Sequence, residues 1–397
     1  MERFEKSFTR QAPLPEAAVE AAVAAMRRGA LHRYGAEPSE AAALEEEFAA
    51  RLGARHALAV ASGGYAMGAA LRALDVGPGD PVLTNAWTLA PVPGAVAALG
   101  ARPVLVETTE ALTIDLAHLE DRMAAEPGAR VLLLSHMRGH LADMEALIAL
   151  CRHREVAVVE DCAHTMGAAW DGVPSGRWGR VGCFSTQSYK HVDSGEGGLL
   201  ATDDADLAAR MILLSGAYRL HARHGTAPAE AVFARHLDRT PNVSGRMDEL
   251  RAALLRPQLA ALPARAAAWN RLYRALEAAF REAPGLAVIE RPARESFVGS
   301  SIQVLADDPA RVPAFLDACR ARGVEWKWFG GAATGFTSTH RHWGYVAPQA
   351  LPRTDAVTAR LLDMRVPLTF DEGDCALVGR IVRAEAARHL RAAVSHG

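Results

Sequence analysis

CFSTQSYKHVDSGEGGLLATDD, residues Cys183 to Asp204, holds one lysine, Lys190, and no arginine. An apolar run precedes it. The turn Gly195-Glu196-Gly197-Gly198 follows, and a second apolar run begins at Leu199. Lysine is ordinarily a solvated surface residue. Here it lies at a Gly-rich turn between two segments that read as buried strands, where loss of hydration lowers the pKa of an amine.

Working outward, the same kind of run recurs upstream. HALAVAS near Ala57, PVLTN near Val82, RPVLVE near Val104, RVLLLS near Leu132 and VAVVED near Val158 precede VGCFST near Cys183 and GGLLAT near Leu199. The runs are short, continuous and rich in Val and Leu, as strands covered on both faces are. AMGAALRAL, VPGAVAAL and DMEALIALCRHR lie between them and read as helices. Alternation over this length predicts an α/β fold with a mostly parallel, doubly wound, seven-stranded sheet. The last two runs lack a long helix between them, so one of that pair is expected to run antiparallel.

Outside this region the pattern changes. A helix is expected from Pro15 and ends at Gly29; a second, from Glu40, ends near Gly53. From about Asp248 a long, kinked helical region leads into a strand in FVGSSIQVLAD, a helix in ARVPAFLDACRARG and a terminal helix. The expected divisions are residues 1–30, an N-terminal helical segment; 31–250, a large α/β domain; and 251–397, a small α+β domain. The Gly- and aromatic-rich stretch from Phe329 to Ala347 reads as a long functional loop.

Composition narrows the function. Of 397 residues half are apolar, and 44 Lys and Arg against 46 Asp and Glu leave a net charge of -2, so no nucleic-acid partner is expected. The five cysteines form no C-x-x-C pair and predict neither a disulfide framework nor a zinc site. His136 and His140 have no third ligand nearby in sequence, so no metal site is expected. MERFEKSFTRQAPLPEAA lacks the apolar stretch of a signal peptide, and no apolar run is long enough to span a membrane. A soluble cytoplasmic protein is the expectation.

Open α/β sheets bind ligands at the carboxyl ends of their strands. Those ends here offer Ser62-Gly63-Gly64 opening a helix, Trp87-Thr88, Ser135-His136, Asp161 and His164, and Ser185 with Lys190 five residues on. A helix N-terminus with Ser-Gly-Gly binds phosphate, a buried Asp holds a protonated ring nitrogen, a Trp covers a flat ring, and a desolvated lysine forms a Schiff base. Together these are the requirements of pyridoxal 5'-phosphate (PLP). Each has a plainer reading: Ser62 and Asp161 as helix caps, Trp87 as a core aromatic, His164 as a satisfied core histidine.

The sequence resembles the DegT/DnrJ/EryC1/StrS family of PLP-dependent aminotransferases, best known as sugar aminotransferases. The resemblance runs from about Arg33 to the last helix, through ASGGYAM from Ala61, LGARPVLVE from Leu99, SHMRGHLADMEAL from Ser135, VVEDCAHTMGA from Val158, GCFSTQSYKHVDSGEGG from Gly182 and GRMDELRAALLRPQL from Gly245. It implies the aspartate-aminotransferase-like fold (PLP fold type I) and a homodimer with active sites at the subunit interface. It makes Lys190 the Schiff-base lysine and Asp161 the partner of the pyridine nitrogen. Ser62, Gly63, Gly64 and Ser185 fall at the phosphate, Trp87 and His164 beside the ring, and Asn242 at the contact with the neighbouring subunit's phosphate.

The chain departs from the family in having Gly64 for threonine, Leu89 for the usual aromatic, and Ser244 in place of the asparagine of N-Y-R-M. The implied reaction moves an amino group from glutamate or glutamine to a ketone of a sugar, cyclitol or related secondary-metabolite precursor. PLP-dependent elimination on a non-sugar substrate and a non-catalytic regulator are the alternatives. Substrate contacts are expected from Tyr218, Arg219, Arg223 and His340, with Lys327 and Arg341 as further cations. For Tyr218 to His224 a solvated loop is the plainer reading.

Overall fold

The structure, a computed structural model, describes residues 2–35, 37–331 and 335–391. Its strands are β1 (His56–Val60), β2 (Pro81–Asn85), β3 (Arg102–Val106), β4 (Val131–Ser135), β5 (Ala157–Asp161), the short β6 (Ala169–Trp170) and β7 (Val173–Pro174), β8 (Val181–Ser185) and β9 (Gly198–Thr202) in the first part of the chain. The remainder are β10 (Leu286–Val288), β11 (Glu295–Ser296), β12 (Ser301–Ala306), β13 (Lys327–Trp328) and β14 (Leu361–Arg365).

The large sheet has seven strands in the order β1-β9-β8-β5-β4-β2-β3. All seven are the runs expected from the sequence. Strands β2 to β5 and β8 pair in parallel, while β9 runs against both β8 and β1. Alternate side chains point to opposite faces. Val131, Leu133 and Val159 pack with the helices Gly63–Ala73 and Ala205–Ser215 on one face. Leu132, Leu134 and Val158 pack with Leu116–Ala125 and Met144–His153 on the other.

The second sheet, β10-β12-β14-β13, is antiparallel and packs with helices Val312–Ala321 and Glu372–His389. The helix Glu249–Arg281 links the two parts. Leu255, Leu259 and Leu262 lie in the core under the large sheet, and Leu272, Tyr273, Leu276 and Phe280 lie in the small-domain core. The helix is therefore divided between the two cores, its second half lying beyond Pro257 and Pro263. The N-terminal segment is also divided: Glu16–Arg28 is helical as expected, but the residues before it belong to the small domain. Phe4 and Phe8 are buried there against Phe370, with ring centroids 5.0 and 5.1 Å from it.

A buried polar knot ties the first helices to the sheet. Arg33 and Glu45 pair at 2.7 Å, both enclosed, and Glu45 also accepts from the N–H groups of Ala59 and Gly225. His224 Nε2 lies 2.9 Å from the Tyr34 hydroxyl. Burial acts to raise the Glu45 pKa, but Arg33, His224 and the amide donors outweigh it and hold it at about 2. Glu45→Ala strands the Arg33 charge and is expected to cost about 3–5 kcal/mol in urea unfolding. A depressed carboxyl stabilises the fold above its unfolded pKa of 4.5 and loses that contribution as pH falls toward 2. The variant's stability should therefore be flatter than wild type's between those values. Equal stability at neutral pH would remove the knot's assigned role.

Candidate active site

The carboxyl ends of β4 and β5 stand in register, with Ser135 beside Asp161. Asp161 is 7% exposed. Ser135 Oγ donates to its Oδ2 at 2.9 Å, and the Ala163 N–H donates to Oδ1 at 3.1 Å. Behind Ser135 stands Thr88, whose hydroxyl donates to Ser135 Oγ at 2.8 Å, and Asn85, which bonds both the N–H and the C=O of Ser135. The carboxylate is thus fixed by a buried chain reaching back to β2. Its Ala163 contact is the cap-like bond that the plainer reading anticipates, and it leaves Oδ2 on the Ser135 side.

The turn after β8 carries Lys190. Thr186 N–H bonds Gly197 O at 2.9 Å, Ser188 N–H bonds Gly195 O at 3.0 Å, and Asp193 Oδ1 accepts from Ser188 Oγ and the Gly195 N–H. Gly198 explains the glycine run: a Cβ there would lie 2.5 Å from Ser62 C, so only glycine lets β9 pass the end of β1. Lys190 Nζ lies 2.9 Å from His164 Nε2. Burial, Arg138 and Arg365 lower the lysine's pKa to about 8, against the pull of Asp161. Burial and the cations Lys190, Arg138 and Arg365 keep His164 neutral, well below its usual range, so the lysine ammonium donates to it.

The third element is the start of the helix Gly63–Ala73. Ser62 Oγ caps it by accepting from Tyr65 N–H at 3.0 Å, as the plainer reading has it. Gly63 and Gly64 hold the first two positions, whose N–H groups have no intrahelical acceptor. A Cβ on Gly63 would come within 2.9 Å of Ser185 Cβ, so the helix start and the end of β8 form one cradle.

Other expected residues lie elsewhere. Trp87 is 1% exposed and packs with Leu112, Met137 and Phe329, its centroid 5.6 Å from the Phe329 ring. It is wedged between the two parts of the molecule, the buried position of the plainer core-aromatic reading, and half-buried Leu89 packs against the same cluster. Arg223 is engaged by Tyr34 O and Glu37, and His224 by the Arg33–Glu45 knot. Tyr218 is exposed, Arg219 lies beside it on the surface, and the Tyr218 ring lies under Arg246 at 5.5 Å. Asn242 is exposed, its side chain accepting from Ser244 N–H.

His340 and Arg341 both pair with Asp355 and fasten their loop to the helix Pro352–Arg360. Trp343 is buried beside Ala86 and Leu105 and anchors that loop. Residues 332–334 of this loop lie outside the described residues. His136 pairs with Glu160 at 3.0 Å, while the amides of Gly176, Trp178 and Gly179 occupy the same carboxylate. Cys162 lies alongside, so a third side chain is near in space, but Glu160's oxygens are already taken by these donors.

Sequence reasoning missed the rest of the pocket wall. Arg138, Tyr189, Arg365 and the N-terminal Phe8–Ala12 line the cavity with His164 and Lys190. With its amide oriented to satisfy both neighbours, Gln11 donates to Asp193 Oδ2 at 3.0 Å and accepts from Tyr189 N–H at 2.8 Å. Arg138 stands three residues past β4 and Arg365 ends β14. Extending the survey of strand ends to both sheets would have found them.

A desolvated lysine near a buried carboxylate, beside an open helix N-terminus at the strand ends, is an arrangement with the chemistry that pyridoxal phosphate requires. The residues fit that cofactor: an amine for its aldehyde, an anion for its ring nitrogen and a glycine-lined cradle for its phosphate. Residues 14–383 match the DegT/DnrJ/EryC1/StrS aminotransferase family, and the chain belongs to it. It is 33% identical over 235 residues to the UDP-N-acetyl-3-dehydro-alpha-D-glucosamine 3-aminotransferase of Acidithiobacillus ferrooxidans, covering 57% of this chain and 60% of that protein. It is 33% identical over 251 residues to the 3-amino-5-hydroxybenzoate synthase of Amycolatopsis mediterranei, covering 60% and 59%. The matched regions span 39% to 62% of the length of such curated relatives. Among solved structures, S. venezuelae DesV superposes with a TM-score of 0.79 at 28% identity, covering 93% of this chain and 94% of DesV.

Proposed function

We propose that the protein is a PLP-dependent aminotransferase that moves the amino group of glutamate or glutamine to a ketone of a sugar, cyclitol or related biosynthetic intermediate. The observation that carries this reading is Lys190: an amine with a pKa of about 8, hydrogen-bonded at 2.9 Å to a neutral histidine and near enough to the Asp161 carboxylate to feel its charge. When bound, PLP supplies an electrophilic aldehyde and an electron-withdrawing ring. With its pKa lowered to about 8, Lys190 loses its proton far more readily than an ordinary lysine, so its lone pair is more accessible as nucleophile and as proton carrier. Asp161, held by Ser135 and Ala163, keeps an anion where a protonated ring nitrogen would sit. Gly63, Gly64 and Ser185 offer donors to a phosphate. His164 keeps Lys190 oriented and accepts its proton-bearing face.

The sugar and carbocyclic amine chemistry in the relatives' names supports the acceptor class. Exposed Asn242 and Ser244 support a homodimer in which this segment meets the neighbouring subunit's phosphate, with Asn242 or Ser244 serving in place of the family's asparagine. The test is a donor and acceptor screen on PLP-loaded protein, with its mass read by sedimentation. Glutamate or glutamine should change the cofactor's absorption, and a sugar or cyclitol ketone should restore it. If no ketone restores it and the amine is lost as ammonia, elimination replaces transamination. An active monomer overturns the shared site.

A further inference from the structure

The residue after Lys190 is a histidine to which the chemistry above gives no part. His191 is 2% exposed, and its ring meets three separate parts of the fold. Nδ1 lies 2.9 Å from Met166 O, Nε2 lies 3.1 Å from Ser300 Oγ, and the ring packs on Trp269 with centroids 5.3 Å apart. A carbonyl oxygen only accepts, so Nδ1 carries the proton. Burial, with Lys190 and Arg265 near, outweighs the Met166 bond and lowers the His191 pKa to about 4. The ring is therefore neutral, and Nε2 accepts from the Ser300 hydroxyl.

Those partners are themselves fixed. Met166 stands two residues past His164, whose Nε2 receives Lys190 Nζ at 2.9 Å. Residues 164–166 thus hold both neighbouring side chains, Lys190 by a ring nitrogen and His191 by a carbonyl. Ser300 belongs to the small-domain side, just before β12, and its carbonyl accepts from Val366 N–H at 2.9 Å. Asn270 brackets the residues before it, donating to Phe297 O at 2.8 Å and accepting from Gly299 N–H at 2.7 Å. A Cβ on Gly299 would come within 2.5 Å of Tyr273 Cβ, so this segment lies directly on the helix Glu249–Arg281. The same helix grips the lysine turn at a second point: Gln258 accepts from Asp193 N–H at 2.9 Å and donates to Asp193 O at 2.7 Å. A lysine side chain is long and flexible, so where its amine rests depends on a firm backbone.

We propose that His191 is a positioning residue for Lys190: its two hydrogen bonds tie the lysine turn to residue 166 on one side and to the small domain on the other, so that the small domain sets where the amine stands. The inference rests on the aminotransferase reading and adds to it a residue that acts through its neighbour. A histidine that merely filled the core would affect stability and leave the reactivity of Lys190 alone.

The test reads Lys190 itself. In cofactor-free protein, reductive methylation with formaldehyde and cyanoborohydride, followed by mass spectrometry of the peptide, gives the reactivity of Lys190 against pH. Wild type should titrate near 8. The groups around the amine, His164, Asp161, Arg138 and Arg365, are kept in every variant. Ser300→Ala removes only the bond to Nε2, at a half-buried position that tolerates alanine. His191→Asn keeps a donor where Nδ1 stands and no longer reaches Ser300. Each should raise the Lys190 midpoint toward the ordinary 10.5, because an amine released from its seat regains water. In PLP-loaded protein each should slow the donor half-reaction about ten-fold, with half-saturation by glutamate or glutamine changed less than about two-fold. The double variant should be no worse than either single one, since both remove the same bond. His191→Phe keeps a ring on Trp269, loses both bonds and should slow the half-reaction about 10²-fold. Wild-type midpoints and rates in all three single variants, with any loss confined to urea stability, overturn the proposal. A raised half-saturation with an intact rate constant in Ser300→Ala makes Ser300 a substrate contact and also overturns it. Wild-type protein that fixes no PLP on Lys190 under borohydride would defeat the aminotransferase reading separately, because the methylation experiment uses no cofactor.

Discussion

Lys190→Ala protein, mixed with PLP and reduced with borohydride, is expected to carry no cofactor on the peptide around residue 190, and its turnover should fall by at least about 10²–10⁴-fold. The expectation follows from position. Lys190 Nζ is the amine that the turn after β8 holds in the pocket, and burial with two neighbouring guanidiniums lowers its pKa to about 8. Lys327 has a similarly lowered pKa but lies over the Phe329 ring at 4.6 Å, on the strand β13. It is therefore the proper control: Lys327→Ala should keep the label at residue 190. Full turnover by the Lys190 variant, or borohydride fixation that moves to Lys327 in the wild-type chain, would show that the reactive amine has been misassigned.

Asp161→Ala should slow the donor half-reaction by about 10²–10³-fold while the protein stays folded. Its carboxylate is buried, bonded by Ser135 Oγ and the Ala163 amide, and backed by Thr88 and Asn85. Removing the charge leaves Ser135 Oγ without its acceptor and a bound pyridine nitrogen without its anion, so the pH at which the cofactor's absorption titrates should also move. Ser135→Ala, which keeps the anion but loosens it, should slow the reaction less. An unchanged half-reaction rate in Asp161→Ala would remove the residue from the mechanism.

The seven strands were legible because each is a short, continuous, mostly apolar run rich in Val, Leu or Ala, as strands of a doubly covered sheet are. Lys190, Asp161 and the Ser62-Gly63-Gly64 turn were legible because a strand end names its own location. What escaped was set by partners distant in sequence. Arg223, His224 and His340 look free on paper, but Glu37, Glu45 and Asp355 occupy them. Trp87 follows a strand end as a ring cover would, yet Phe329 from the small domain turns it into an interior side chain. The change of core inside Glu249–Arg281 is hard to place in the sequence because one helix runs on through it, past Pro257 and Pro263. Residues 2–14 show no period at all; only the small-domain core explains why Phe4 and Phe8 are there.

That early segment also makes the molecule's assembly order unlike its order of synthesis. Lys6 bonds Asp374, 368 positions later, and Glu2 pairs with Arg380 in the last helix. The sheet and its lysine are complete once residue 202 has joined β9. The wall formed by Phe8 to Leu14 is not complete until Phe370, against which Phe8 packs, has emerged. Closing so long a loop adds only a slowly growing entropic cost, but it comes last. While the ribosome reads the codons in between, Lys190 stands in a half-built chamber, open on the side that the finished protein covers with its earliest-made residues.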